Sequence, residues 1–380
     1  MSRDAPVVVA ALRTPIGTAG RSLAQVDAAG LAAPVLRRLA DRLPDVAVRD
    51  VVLGNCMGPG GNVARVAALS AGLPVEVPAM TVDRQCGSGL AAIVTAATTV
   101  PGSGGVVLAG GTESASTAPW RFWPPGPDSG PRRYERAPFA PPDVGDPDMG
   151  LAADLLAAER GVSRGRQDAY AARSHARAHT TQASGGFDAE VVPVGGVDRD
   201  ERPRPNLTVE RLARLRPTFR ADGTVTAGNS CGVNDGAAAV AVVDAVTHRR
   251  LGLPGLRILG SATAGVDPNR PGIGIVPAVR SALADAGIGL DDLDVVEINE
   301  AFAGQVLACC DELDLDPERV CPEGGALALG HPWGASGAVL VVRLFSQLVG
   351  RGGLGLAAIA VGGGQGIALV VEATPALSGA

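Results

Sequence analysis

The chain has 380 residues and no lysine: all 33 of its basic residues are arginine. That bias reads as a nucleotide-composition effect in the gene rather than a functional signal. Aromatics are scarce too, at 3%, so the core has to be built from Ala, Val, Leu and Ile. No glycine-free apolar run approaches the ~20 residues of a membrane span, which excludes that class. Residues Val7 to Leu12 are too short for an export signal and read as a first buried strand. CxxC and HExxH spacings are missing, so neither a structural metal nor a metal cofactor is expected. Six cysteines without framework spacing read as reduced thiols, which points to the cytoplasm. A net charge of −6 argues against a nucleic-acid partner.

Small residues and turns are plentiful, with 52 glycines and 29 prolines, yet 46% of the chain is hydrophobic and only 19% charged. Apolar runs separate the turns, which suits a globular α/β protein with a large core. Two stretches repeat one pattern. Cys86-Gly87-Ser88-Gly89 leads into an Ala-rich helical segment and then the strand-like Val106–Gly111. Gly334-Ala335-Ser336-Gly337 leads into a helical segment to Leu348 and then Leu356–Gly363. Apolar strands without alternation are buried on both faces. The repeat predicts two α/β halves whose glycine-flanked helix starts meet at the centre. Residues 1–115 and 247–380 form the halves, and 116–246 reads as an inserted loop or lid domain. Within it, helices are expected over 151–160 and 164–182, with Ser163 capping the second.

Three side chains have the chemistry of a nucleophile, a base and an orienting group. Cys86 precedes a helix start, where the helix N-terminus favours thiolate. His331 projects from Gly330-His331-Pro332-Trp333-Gly334, a loop stiffened by proline and thinned by glycine. Asn299 follows the strand-like Val295–Ile298 and offers an amide for orientation or oxyanion binding. Each has a plain structural alternative: a buried hydrophobic thiol, a core histidine, a turn asparagine. The glycine-rich run Gly324–Gly330 lacks the Lys-Ser/Thr ending of a phosphate-binding loop.

Together these motifs resemble the thiolase family over nearly the whole chain. The resemblance rests on Asn299-Glu300-Ala301-Phe302, the Gly324–Gly337 loop, Gly362-Gly363-Gly364-Gln365-Gly366, Gly223–Asn229 and Asn234–Ala238, in family order. It implies a five-layer α-β-α-β-α sandwich, a homodimer or homotetramer, and coenzyme A thioesters as substrates with no separate cofactor. A carrier-protein thioester is the other partner considered. By the same resemblance Cys86 takes the acyl group and His331 activates it. His331, with a water held by Asn299, binds one thioester oxygen. The backbone N–H groups of Cys86 and Gly362 form a second oxyanion hole. Met149 and Phe302 line the acyl pocket, Cys231 stands beside the pantetheine arm, and Arg204 and Arg211 meet the phosphates of coenzyme A.

The chain departs from the family at three positions. Ala360 stands where relatives carry the second cysteine, which moves the α-proton of the acyl-CoA nucleophile. Cys231 stands where relatives usually have serine, and Asp148 where many have histidine. A methyl group transfers no proton, so three readings follow. Cys86, His331 and Asn299 match the set used by decarboxylating ketoacyl synthases, in which loss of carbon dioxide makes the carbanion and no base is needed. Acyl transfer to an amine or alcohol would need none either. Alternatively Cys231 takes over the proton transfer in a conventional acetyl-CoA acetyltransferase, or the chain is a non-catalytic acyl-CoA-binding partner. Trp333, next to His331, is bulkier than the usual aliphatic residue there.

Overall fold

A computed structural model describes residues 5–376 of the chain. Nine strands lie in one sheet in the order Val295–Ile298, Leu354–Val361, Gln365–Thr374, Gly255–Gly265, Val7–Arg13, Asn234–Val243, Val106–Ser114, Val48–Gly54, Ala79–Val82. A tenth, Gly17–Thr18, pairs with the start of Asn234–Val243. Among the described residues two register pairs, Val7↔Arg257 and Val8↔Leu256, with the Ile258 N–H donating to the Pro6 carbonyl, join the N-terminal half of the sheet to the C-terminal half. Each half is therefore nearly a sheet of its own.

Helices Ser88–Thr99 and Trp333–Leu348 pack against each other between the two halves. Helices Ala28–Asp41 and Val63–Ser70 cover the outside of the first half, and Ile275–Ala286 covers that of the second. The layers run α-β-α-β-α. Strands such as Val106–Ser114 and Asn234–Val243 are buried along their full length, as unbroken apolar runs require.

Glycines let the central helices approach. A Cβ on Gly89 would lie 2.8 Å from the Gly334 carbonyl oxygen, and one on Gly111 would lie 1.9 Å from the same atom. Backbone is on the receiving side, so the clash cannot be relieved by a rotamer change. Gly111→Ala is expected to destabilise the fold by about 3 kcal/mol or more, the upper end for overpacking. An unchanged urea midpoint would show that the two segments are not in contact.

Residues 116–246 do not all lie outside the sheet. Asn234–Val243 is a central strand, hydrogen-bonded to Val7–Arg13 on one side and Val106–Ser114 on the other. The segment that leaves the sheet runs from the end of Val106–Ser114 to Asn234, and carries helices Met149–Glu159 and Arg164–Ala183. Ser163 caps the latter by accepting the Arg166 N–H at 3.3 Å. A buried ionic cluster ties this segment to the core. Arg13 donates to Glu190 at 2.6 Å and to Asp200 at 2.7 Å, and Arg343 also binds Glu190. Phe187 lies under both guanidinium groups. Among the described residues no helix is long and apolar enough to cross a membrane, and no group of metal-ligating side chains gathers.

Candidate active site

The nucleophile candidate sits on a tight turn. Gln85 has a φ of +46°, a conformation that side chains rarely adopt, and it swings the chain from strand Ala79–Val82 into Cys86. Ser88 clasps the turn: its hydroxyl donates to the Gln85 carbonyl at 2.6 Å and accepts the Arg84 N–H at 2.8 Å. Cys86 thus stands just ahead of the Ser88–Thr99 helix. Gly87 is needed because a Cβ there would lie 2.7 Å from Val361 Cγ2.

His331 is held from the other half of the molecule. Gly330 has a φ of +117° and packs on the Asn234 side chain, which accepts the His331 N–H at 3.0 Å. Asn234 in turn donates to the Gly17 carbonyl at 2.9 Å. The imidazole Nδ1 lies 2.6 Å from Ser336 Oγ. Glu113 fastens the Gly334 turn to the Asn55–Met57 segment. Its carboxylate accepts N–H groups of Cys56, Met57 and Gly334 at 3.0 to 3.1 Å, and the Asn55 amide at 2.8 Å.

A cavity of about 130 Å³ is walled by Cys86, His331, Cys231, Met149, Phe302, Gln305, Trp333, Ala360 and Gly362, with small apolar residues between them. Cys86, His331, Gly362, Cys231, Met149 and Phe302, all expected at the site, therefore share one chamber. Phe302 also meets Phe219 of the inserted segment edge to face, at 6.2 Å between ring centres. Asn299 is placed elsewhere. It is buried at the end of strand Val295–Ile298, and with Gly330 and Ser336 it lines a second, smaller cavity. Arg204 and Arg211 are also outside the chamber, both exposed on the inserted segment. The Arg204 backbone N–H donates to His175, and the Arg211 guanidinium donates to the Asn206 carbonyl.

Burial sets the protonation states. It pushes the Cys86 thiol up to about 12, although the N–H groups of Cys86 and Gly362, both aimed at the sulfur, pull the other way. The expected net gain of thiolate from the helix start is therefore corrected: desolvation outweighs those amides. Burial also lowers His331 to about 4, with no charged neighbour involved. At neutral pH the pair rests as thiol and neutral imidazole, so the imidazole is free to act as a base. Alkylation of free Cys86 by iodoacetamide, which requires thiolate, should accelerate about tenfold per pH unit between pH 7 and 10. A plateau near pH 7 would reveal a preformed ion pair instead.

Three residues of the site carry no local signal in the sequence. Phe139 covers the glycine run, since a Cβ on Gly362 would lie 2.7 Å from its ring. Arg136 packs over that ring, and Asp146 holds both. Ser336 and Asn234 lay inside motifs already noted but had no assigned role. Asp148 caps the Met149–Glu159 helix: its carboxylate accepts the Gly150 and Leu151 N–H groups at 2.9 and 3.3 Å.

Comparison with known proteins agrees with this architecture. The family models "Thiolase, N-terminal domain" and "Thiolase, C-terminal domain" match residues 6–245 and 254–373. The chain belongs to the thiolase family, a family of acyltransferases. It is 44% identical to a putative acetyl-CoA C-acetyltransferase of Bacillus subtilis, over 96% of this chain and 98% of that protein. It is 45% identical to a beta-ketoadipyl-CoA thiolase of Pseudomonas aeruginosa, over 98% and 100% respectively. The crystal structure of the Bacillus anthracis acetyl-CoA acetyltransferase superposes with a TM-score of 0.90 at 39% identity, covering 98% of this chain and 99% of that one. Human mitochondrial 3-ketoacyl-CoA thiolase in complex with CoA superposes at 0.91 with 37% identity, covering 98% of each. The thiolase fold expected from the sequence is thus established.

Proposed function

We propose that this thiolase-family protein transfers an acyl group from coenzyme A through a thioester on Cys86, to an acceptor that needs no proton removed by the enzyme. The observation behind this reading is the composition of the chamber wall. Its titratable side chains are Cys86, His331 and Cys231, and the position facing them from strand Leu354–Val361 is the Ala360 methyl. His331 takes the Cys86 proton as the sulfur attacks the thioester carbonyl. The bond to coenzyme A breaks, and the departing thiolate recovers that proton. The N–H groups of Cys86 and Gly362, aimed at the sulfur, are placed to hold an acyl oxygen there.

The second half-reaction then starts from a carbanion made without a base. Breaking the C–C bond of a malonyl-type thioester releases carbon dioxide and leaves its electron pair on the α-carbon. That carbon attacks the acyl carbonyl, and Cys86 leaves as thiolate and takes up a proton from solvent. Product from malonyl-CoA plus an acyl-CoA, with none from acetyl-CoA alone, is the expected result. Equal rates with the two acceptors would exclude the reading.

A second reading keeps conventional condensation with Cys231 as proton carrier, because Cys231 shares the chamber with Cys86. Burial and the proximity of Cys86 push its thiol up to about 12, and Arg202 only partly offsets this. A thiol that resists ionisation removes a proton only after it has first given up its own. Condensation of two acetyl-CoA that is lost in Cys231→Ser would favour this reading over the first. The coenzyme A phosphates are assigned to Arg204 and Arg211 on the lid surface, and the working unit to a homodimer or homotetramer in the cytoplasm.

A further inference from the structure

His331 lines the main chamber, while its neighbours Gly330 and Ser336 line a second, smaller cavity that shares no wall residue with the first. Its partner at Nδ1 is a hydroxyl: Ser336 Oγ lies 2.6 Å away, and both residues are only 3% exposed. Ser336, Asn299, Glu297 and Arg343 line the smaller cavity. The carboxylates of this region are engaged elsewhere. Glu297 accepts from Gln347 at 2.6 Å and Glu300 from Ser174 at 2.6 Å. Arg343 is committed to Glu190 and Glu323.

That choice of partner has chemical consequences. A carboxylate at Nδ1 only accepts, so it locks the proton on Nδ1. A hydroxyl both donates and accepts, so it satisfies either neutral form of the ring. The reaction proposed above uses both forms. Removing the Cys86 proton needs a bare Nε2, with Nδ1–H donating to Ser336. Holding the oxygen of an enolate in the second half-reaction needs Nε2–H, with the Ser336 O–H donating to Nδ1.

We propose that Ser336 is a positioning residue whose hydroxyl reverses its hydrogen bond to His331 between the half-reactions, so that one imidazole serves first as base and then as oxyanion donor. The proton count on the ring is unchanged by the switch. One proton enters at Nε2 from solvent in the open chamber. The Nδ1 proton leaves through the Ser336 hydroxyl, which releases its own toward Asn299 and Glu297 in the small cavity that they line. The inference rests on the acyl-Cys86 reading, but the ring-signal arm of its test does not depend on it.

The chain has four histidines, so protein labelled with ¹⁵N-histidine gives few ring signals, and His331→Asn assigns those of His331. In the wild type both ring nitrogens should resonate between the protonated and bare limits, showing two neutral tautomers in exchange. Ser336→Ala should collapse them to one tautomer, and Ser336→Thr, which keeps the hydroxyl, should retain the mixture. Acyl loading of Cys86 and its discharge should slow unequally in Ser336→Ala, with the more affected step down by about 10–10²-fold, less than the 10²–10⁴-fold contribution of a general base. A single tautomer in the wild type would overturn the proposal even if neither variant folds. An unchanged mixture in Ser336→Ala, or equal slowing of both steps, would do the same. If Cys86 never gains acyl mass, the acyl-enzyme reading fails, whatever the ring signals show.

Discussion

Ala360→Cys is expected to raise condensation of two acetyl-CoA by on the order of 10²–10⁴-fold over the wild type, the usual contribution of general acid–base catalysis. The substitution adds a single sulfur to a side chain that already lines the chamber with Cys86 and His331. The backbone at 360 is fixed by pairing with Gly366 in the neighbouring strand, so the new thiol has few directions to take. It projects into open volume rather than packed core, and little stability should be lost. Burial holds the other two thiols of this wall at about 12. The introduced thiol should likewise rest protonated, working as a donor and then, once discharged, as an acceptor. If the variant condenses acetyl-CoA no faster than the wild type, a missing proton carrier at 360 is not what limits that reaction.

The second large effect is loss. Cys86→Ala should lower acyl transfer by on the order of 10⁶-fold, as removal of a covalent nucleophile does elsewhere. His331→Asn should follow it closely, because nucleophile and base act as one unit and their losses do not add. The double variant should therefore be scarcely slower than Cys86→Ala. Additive losses would mean that His331 acts on something other than the Cys86 proton.

Much of this was legible in the sequence, for a physical reason. Where backbones must touch, only glycine fits, and the runs around Cys86, His331 and Gly362 announce those contacts. The backbone clashes a Cβ would make at Gly89 and Gly111 are the same constraint seen in three dimensions. Unbroken apolar runs likewise marked the buried strands. Other features left no local trace. The sign of the Cys86 shift depends on how completely the chamber wall excludes water, and counting residues to a helix start does not measure that. Phe139 reaches Gly362 across more than two hundred positions, from a segment whose composition reads only as loop. Asn299 was correctly placed after a strand, but which cavity it lines depends on how that strand end meets the Gly324–Gly330 turn. Asn234–Val243 follows the inserted segment in sequence yet lies in mid-sheet, because its pairing partners lie more than a hundred residues upstream.

The most direct measurement is the intact mass of the wild type and of Cys86→Ala after incubation with an acyl-CoA, followed by peptide mapping. The wild type should gain one acyl group, located on the peptide that carries Cys86, and the variant should gain none. A wild type that gains no mass, or a variant that gains as much, would contradict the account.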